Sequence, residues 1–146
     1  MDNRELLALA ADFRKMIDEC YFLKDRIPFN RFPAGCCGTT CDLLAYYLKS
    51  KGIKGIHRVS ARIPYHGIDD YTHQWLKVNS AIIDITADQF KEYSRPKVYV
   101  GDEDEFYSSF TITSSDDYDE DFELDDIHYE LPWFYTHITL NKKSSS

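Results

Sequence analysis

The chain has 146 residues, 43% apolar and 15% aromatic, enough for one sizeable core and too rich in large side chains for wholesale disorder. Its 25 acidic residues outnumber 17 basic ones, and the resulting net charge of −8 repels phosphate backbones, which argues against nucleic acid as a partner. No apolar run approaches the roughly 20 residues that cross a bilayer, and the charged start Met1-Asp2-Asn3-Arg4-Glu5 does not read as a signal core, so the expectation is a soluble, cytoplasmic protein with no membrane partner.

From Asn3 to Phe22, the residues Leu6, Leu7, Ala10, Phe13, Met16, Ile17 and Cys20 recur at three-and-four spacing. Arg4, Asp12, Arg14, Lys15 and Asp18 occupy the other faces, so the stretch predicts an amphipathic helix with Cys20 as a small buried hydrophobe. Pro28, Pro33 and Gly35 make the next stretch an irregular connection. A second helix is predicted over about Gly38–Ser50, its apolar face formed by Cys41, Leu44, Ala45 and Leu48. Thr39 or Thr40 would cap it, Asp42 would suit its positive end, and Gly52 would end it.

The period then changes. Gly55–Ile63 alternates as a half-buried strand, Pro64–Asp70 reads as a loop, and Thr72–Val78 reads as a second strand. In that strand Gln74, Leu76 and Val78 share one face, and His73, Trp75 and Lys77 the other. Asn79-Ser80 is a two-residue turn into Ala81–Ile85, which predicts an antiparallel hairpin. Thr86–Phe90 reads as a capped helical turn and Lys97–Gly101 as a short strand. No Lys or Arg occurs between Lys97 and Lys142, while Asp and Glu crowd the acidic segment 102–130 among interleaved aromatics. That composition predicts a solvated acidic face over a partly packed segment, with a lid or a docking surface for a basic protein partner as alternatives. Pro132–Leu140 reads as a closing strand. The whole is expected to be a single domain over residues 1–141, followed by a disordered tail, 142–146.

Three of the four cysteines, Cys36, Cys37 and Cys41, are crowded together, which suits chemistry or packing rather than a disulfide framework. A zinc site from these three and a histidine is disfavoured because adjacent cysteines supply one good ligand vector; no metal or other cofactor is expected. A thiol attacks as thiolate, and a helix N-terminus favours that form through its free N–H groups and dipole. Cys37 stands at such a place between a loop and a helix, and the N–H groups around Gly38 and Thr39 could receive an oxyanion. Cys36 comes one residue early and Cys41 lies one turn deeper, so both suit packing.

A thiolate needs a base held in one tautomer by a third group. Of His57, His66, His73, His128 and His137, only His73 lies in a strand joined by a tight turn to one bearing a lone acid, Asp84. Flanked by Ile82, Ile83 and Ile85, that carboxylate would be costly without a partner, and an imidazole N–H answers the cost. His57 and His66 read as surface or loop residues. Gln89 is a weaker candidate for a substrate contact or extra donor, its bland reading being a local backbone cap.

The segments Cys37-Gly-Thr-Thr-Cys41-Asp-Leu-Leu, His73-Gln74-Trp75-Leu76-Lys77-Val78 and Ile83-Asp84-Ile85-Thr86, in that order, resemble the transglutaminase-like branch of the papain-like superfamily over roughly residues 32–101. The resemblance implies an α+β fold in which the cysteine-bearing helix packs on an antiparallel sheet that supplies His73 and Asp84. It further implies acyl transfer through a thioester on Cys37, ending in hydrolysis, deamidation or transfer to an amine, with a protein, peptide or small amide as substrate. The alternative reading is a domain that keeps the fold without the activity and binds partners through its acidic C-terminal surface.

Overall fold

Asp2 starts the first helix, its side chain accepting from the Glu5 amide at 3.0 Å. In the computed structural model, which describes residues 2–65 and 69–144, this helix, α1, spans Asn3–Asp18. It ends four residues short of the expected Phe22 because Cys20 turns extended (φ −89°, ψ 98°), which keeps its side chain in the core while Tyr21 and Phe22 face solvent. Short 3₁₀ turns at Tyr21–Leu23 and Phe29–Arg31 carry the chain to α2, Cys37–Ser50, which is followed by Gly52 at φ +87°. Neither threonine caps α2: Thr39 and Thr40 lie inside it, and Cys36 occupies the cap position without a side-chain bond. Asp42 does not serve the dipole either. It is buried and accepts from the Tyr118 hydroxyl (2.6 Å) and Arg58 (3.1 Å).

The strands follow as β1 (Ile56–Tyr65), β2 (Asp69–Val78), β3 (Ala81–Asp84) and β4 (Tyr99–Gly101). After them come α3 (Glu105–Ser108), β5 (Thr111–Asp117), α4 (Leu124–Ile127) and α5 (Leu131–Ser144). The sheet is antiparallel throughout, in the order β4-β3-β2-β1-β5. The protein is thus α+β, with five strands and five α-helices among the described residues. Part of the expected loop belongs to the ladder, since Pro64 pairs with Asp70 and Tyr65 with Asp69. His66 lies outside the described residues. The predicted β2–β3 hairpin is present, with Asn79 (φ 55°) in the left-handed conformation that asparagine tolerates.

Alternation in β2 divides the protein into two cores. Leu76 and Val78 face the larger one, where α1, α2 and α5 contribute Phe13, Ile17, Leu44, Leu48, Phe134 and Ile138. Trp75 faces the smaller one with Val59, Ala61, Ile82, Phe90, Phe106, Tyr107 and Phe110. Acidic segment 102–130 is therefore packed in part: α3 delivers aromatics to the second core, whereas all seven residues of the edge strand β5 are exposed.

Pro132–Leu140 is helical, not a closing strand. Pro132 falls in the first turn of α5, where its missing N–H costs nothing. Leu131, Phe134 and Ile138 recur at helical spacing and are buried together, so tertiary packing overrides the β-rich composition of this stretch. The first residues of segment 142–146 continue this helix to Ser144. Among the described residues, no helix is long and apolar enough to cross a membrane.

Candidate active site

The site occupies a notch in the sheet. β3 is only four residues long and accompanies β2 along Leu76–Val78 alone, so among the described residues β2 has no strand neighbour on that side at Thr72–Gln74. The start of α2 and the turn after β3 come together there. Thr72 and Gln89 line the same cleft as Cys37, and a Cβ on Gly38 would lie 3.0 Å from Oε1 of Gln74.

His73 and Asp84 meet as the hairpin register requires. One step on from the Leu76–Ile83 pair, Asp84 stands level with Trp75 and on the face that carries His73. The His73 ring is 0% exposed, and its Nε2 lies 2.6 Å from Oδ2 of Asp84, itself 2% exposed. Asp84 is fully engaged: Oδ2 also accepts from the Tyr107 hydroxyl at 2.8 Å, and Oδ1 accepts from the Thr86 amide at 3.0 Å. Thr86 therefore serves Asp84, and its side chain does not cap the 3₁₀ turn Ala87–Gln89. Burial alone would raise the Asp84 carboxyl. The His73 charge and hydrogen bond, with the Thr86 and Tyr107 donors, reverse that and hold it below the usual carboxylate range. Burial would likewise depress His73, but the charge and hydrogen bond of Asp84, aided by Cys37, raise it to about 9. Tyr107 is pushed up, first by burial and then by the adjacent carboxylate, so its hydroxyl stays a donor.

Cys37 is the first residue of α2, half-buried, with its thiol within hydrogen-bonding reach of the His73 ring. Because Nε2 is turned to Asp84, Nδ1 is the nitrogen left for the thiol, and the Gln89 amide also lies 3.3 Å from it. The other three thiols are placed differently. Cys20, Cys36 and Cys41 are buried, and burial pushes Cys20 up, Cys36 up to about 11 and Cys41 well above the ordinary thiol range. Only Cys37 of the four combines access to solvent with a histidine partner. It opens into a cleft of about 580 Å³ lined also by Arg31, Gly38, Thr39, Thr72 and Gln89. With no side-chain cap from Cys36, the first-turn amides of Gly38 and Thr39 are available at this cleft as hydrogen-bond donors.

The structure thus brings Cys37, His73, Asp84, Gly38 and Gln89 to one place. His57 is elsewhere, 3.0 Å from Asp117, and His137 lies against the backbone oxygen of Trp133 at 2.9 Å. No group of three His, Cys, Asp or Glu among the described residues is arranged to hold a metal ion. A smaller cleft of about 200 Å³, between Gly52–Ile56 and Tyr118–Phe122, lies at the far end of α2 from Cys37.

Two supports escaped sequence reasoning. Tyr107 comes from the acidic segment, 23 residues after Asp84, with no motif to mark it. Arg14 reads as part of the polar face of α1, yet it is buried and clamps the turn after β3. Its guanidinium donates to the Ile85 carbonyl (2.7 Å), to both oxygens of Asp88 (2.9 Å each), to Asp18 and to the Lys97 carbonyl. Asp88, a lone acid one residue before Gln89, was the available sign that this turn needs a cation.

Comparison of the chain with protein-family models, curated proteins and solved structures finds no match.

Proposed function

We propose that the protein is a cysteine-dependent acyl-transfer enzyme of the transglutaminase-like, papain-like type, acting on an amide through a thioester on Cys37. The observation that carries this reading is the buried His73, engaged through Nε2 by Asp84 and approached on its remaining edge by the half-exposed thiol of Cys37. Cys37 Sγ attacks the carbonyl carbon as a thiolate, its proton having already passed to Nδ1 of His73, whose pairing with Asp84 favours the imidazolium. Asp84 fixes the ring with Nε2–H directed at the carboxylate and stabilises the imidazolium that results. The amide donors of Gly38 and Thr39 face the charge that develops on the carbonyl oxygen. As the carbon–nitrogen bond breaks, His73 returns the proton to the departing amine, leaving the thioester. Water or an amine, deprotonated by His73, then attacks that carbonyl and releases Cys37; water gives hydrolysis or deamidation, and an amine gives transfer.

Iodoacetamide labelling at pH 6, read by mass spectrometry of each cysteine peptide, tests the proposal. Cys37 is expected to react ahead of Cys20, Cys36 and Cys41, and His73→Ala to slow its reaction by at least about tenfold. Equal, slow labelling of all four thiols would overturn the reading.

One observation favours a second reading, a module that docks a basic partner. The edge strand β5 is exposed along its whole length and ends in Asp116-Asp117, beside a cleft of about 360 Å³ that Asp119, Asp121 and Asp126 also line. Titration with a Lys/Arg-rich peptide that shifts the β5 amides, together with an inert Cys37, would select it.

A further inference from the structure

We infer that the cleft at Cys37 selects acyl donors bearing a carboxylate beside the reacting carbonyl, and that Arg31 is the residue that receives it. The inference rests on the reading of Cys37 as a nucleophile. Among the described residues no carboxylate side chain lines this cleft, and Arg31 is the one charged residue that does. In a protein of net charge −8, this makes the mouth of the site a local positive spot.

Arg31 is also held in reserve. Arg14, Arg58 and Arg95 are each ion-paired, to Asp88, Asp42 and Asp104 respectively. The guanidinium of Arg31 is exposed and has no hydrogen bond or ion pair among the described residues. Its backbone, in contrast, is firmly mounted. Phe29, two residues earlier in the same 3₁₀ turn, is buried against Phe134 with ring centroids 5.2 Å apart, and the Arg31 carbonyl accepts from the Ala34 amide at 2.8 Å. An unpaired cation on a fixed turn, six residues before the start of α2, fits a ligand anion better than a structural role. A guanidinium presents a planar fork of donors that matches a carboxylate. The first-turn amides of α2 lie on the same cleft and add to the same sign of potential. Both the substrate carboxylate and the oxyanion formed during attack therefore meet donors here, the former at Arg31 and the latter at Gly38 and Thr39.

The test compares two reagents of nearly equal size, iodoacetate and iodoacetamide, as alkylators of Cys37 in the full chain. In each reaction Sγ bonds to the methylene carbon as the carbon–iodine bond breaks and iodide leaves with the electron pair. The readout is the rate ratio, iodoacetate over iodoacetamide, divided by the same ratio for glutathione in the same buffer. In the unaltered protein this normalised ratio is expected to exceed one. Arg31→Gln should lower it by about three- to fivefold, the range an exposed ion pair supplies, and Arg31→Lys should retain most of it. Salt at about 0.5 M should bring the unaltered protein towards the Arg31→Gln value. A ratio that is the same with and without the Arg31 charge would overturn the inference while leaving Cys37 a nucleophile. Failure of Cys37 to react with either reagent would overturn the nucleophile reading, and this inference with it.

Discussion

Replacing Asp84 by Asn keeps the size of the side chain and removes the charge on which the His73 ring depends. In the native protein Oδ2 faces both His73 Nε2 (2.6 Å) and the Tyr107 hydroxyl (2.8 Å), while Oδ1 receives the Thr86 amide (3.0 Å). An asparagine offers one acceptor oxygen, so whichever way its amide turns, at least one buried donor loses its partner. An unsatisfied buried donor costs about 1–3 kcal/mol, and breaking a buried ion pair by removing one member costs about 3–5 kcal/mol. The lower part of that second range, about 3–4 kcal/mol near pH 6, is expected, because the remaining hydrogen-bond partners survive.

The dependence on pH is the sharper part of the prediction. His73 has a folded pKa of about 9 against an ordinary value of 6.5, so its proton binds more tightly in the folded protein. The corresponding stabilisation, roughly 3 kcal/mol, is fully present below pH 6.5 and is lost as pH rises through 9. Asp84, held below its ordinary value of 3.8, contributes above that pH and loses its contribution only in acid, outside this window. In Asp84→Asn the main cause that raises His73 is gone, and burial keeps the ring neutral throughout. Urea unfolding of both proteins at pH 6 and pH 9.5, followed by fluorescence of the buried Trp75 environment, should give a stability gap that narrows by about 2–3 kcal/mol at the higher pH. Other thiols and phenols titrate in both proteins and cancel from the difference. A gap of equal size at the two pH values would refute the reasoning.

Three further substitutions test the supports. Tyr107→Phe removes one donor from a carboxylate and should cost about 1.5–3 kcal/mol at pH 7, with the deficit disappearing in acid as Asp84 protonates; an undiminished deficit in acid urea melts would show that the loss is packing alone. Arg14→Ala leaves Asp88 and two carbonyls without their buried cation and should lower the unfolding free energy by about 3–5 kcal/mol. It should also speed hydrogen exchange at the Thr86 amide, and unchanged exchange there would mean that Arg14 does not hold the turn. Gln89→Ala removes the amide 3.3 Å from Nδ1 of His73, and if that amide competes with the thiol, alkylation of Cys37 at pH 6 should accelerate by about two- to fivefold; slower alkylation would assign Gln89 a supporting role.

What could be read from sequence was what local pattern controls. Alternation in Thr72–Val78 with the Asn79-Ser80 turn sets the hairpin register, and from it the approach of Asp84 to His73 follows by counting. Apolar spacing sets α2 and leaves Cys37 at its head. The misses share a cause: each depends on a partner far along the chain. Arg14 has the composition of a solvent-facing residue until Asp88, 74 positions on, makes it a buried clamp. Tyr107 is one aromatic among many until the fold sets it beside Asp84. β5 carries no apolar alternation because all seven of its residues are exposed, and its strand character comes from pairing with β1. For α5, the strand propensity of Trp, Phe, Tyr, Thr and Ile loses to the burial of Leu131, Phe134 and Ile138 on one helical face.

The short length of β3 gives these separate features a common origin. Were β3 to continue two residues past Asp84, it would pair with β2 at Gln74 and His73 and close the flank through which the thiol reaches the ring. Instead the chain turns at Thr86, whose amide binds the Asp84 carboxylate, and Arg14 holds the following residues away from the β2 ladder. The same termination puts Asp84 at the end of β3, where Trp75, Phe90 and Phe110 surround His73 with apolar rings. Low polarity there strengthens the attraction between His73 and Asp84 and raises the cost of leaving either one unpaired. A strand two residues longer would extend the ladder past Leu76 and close the flank on which Cys37 meets His73.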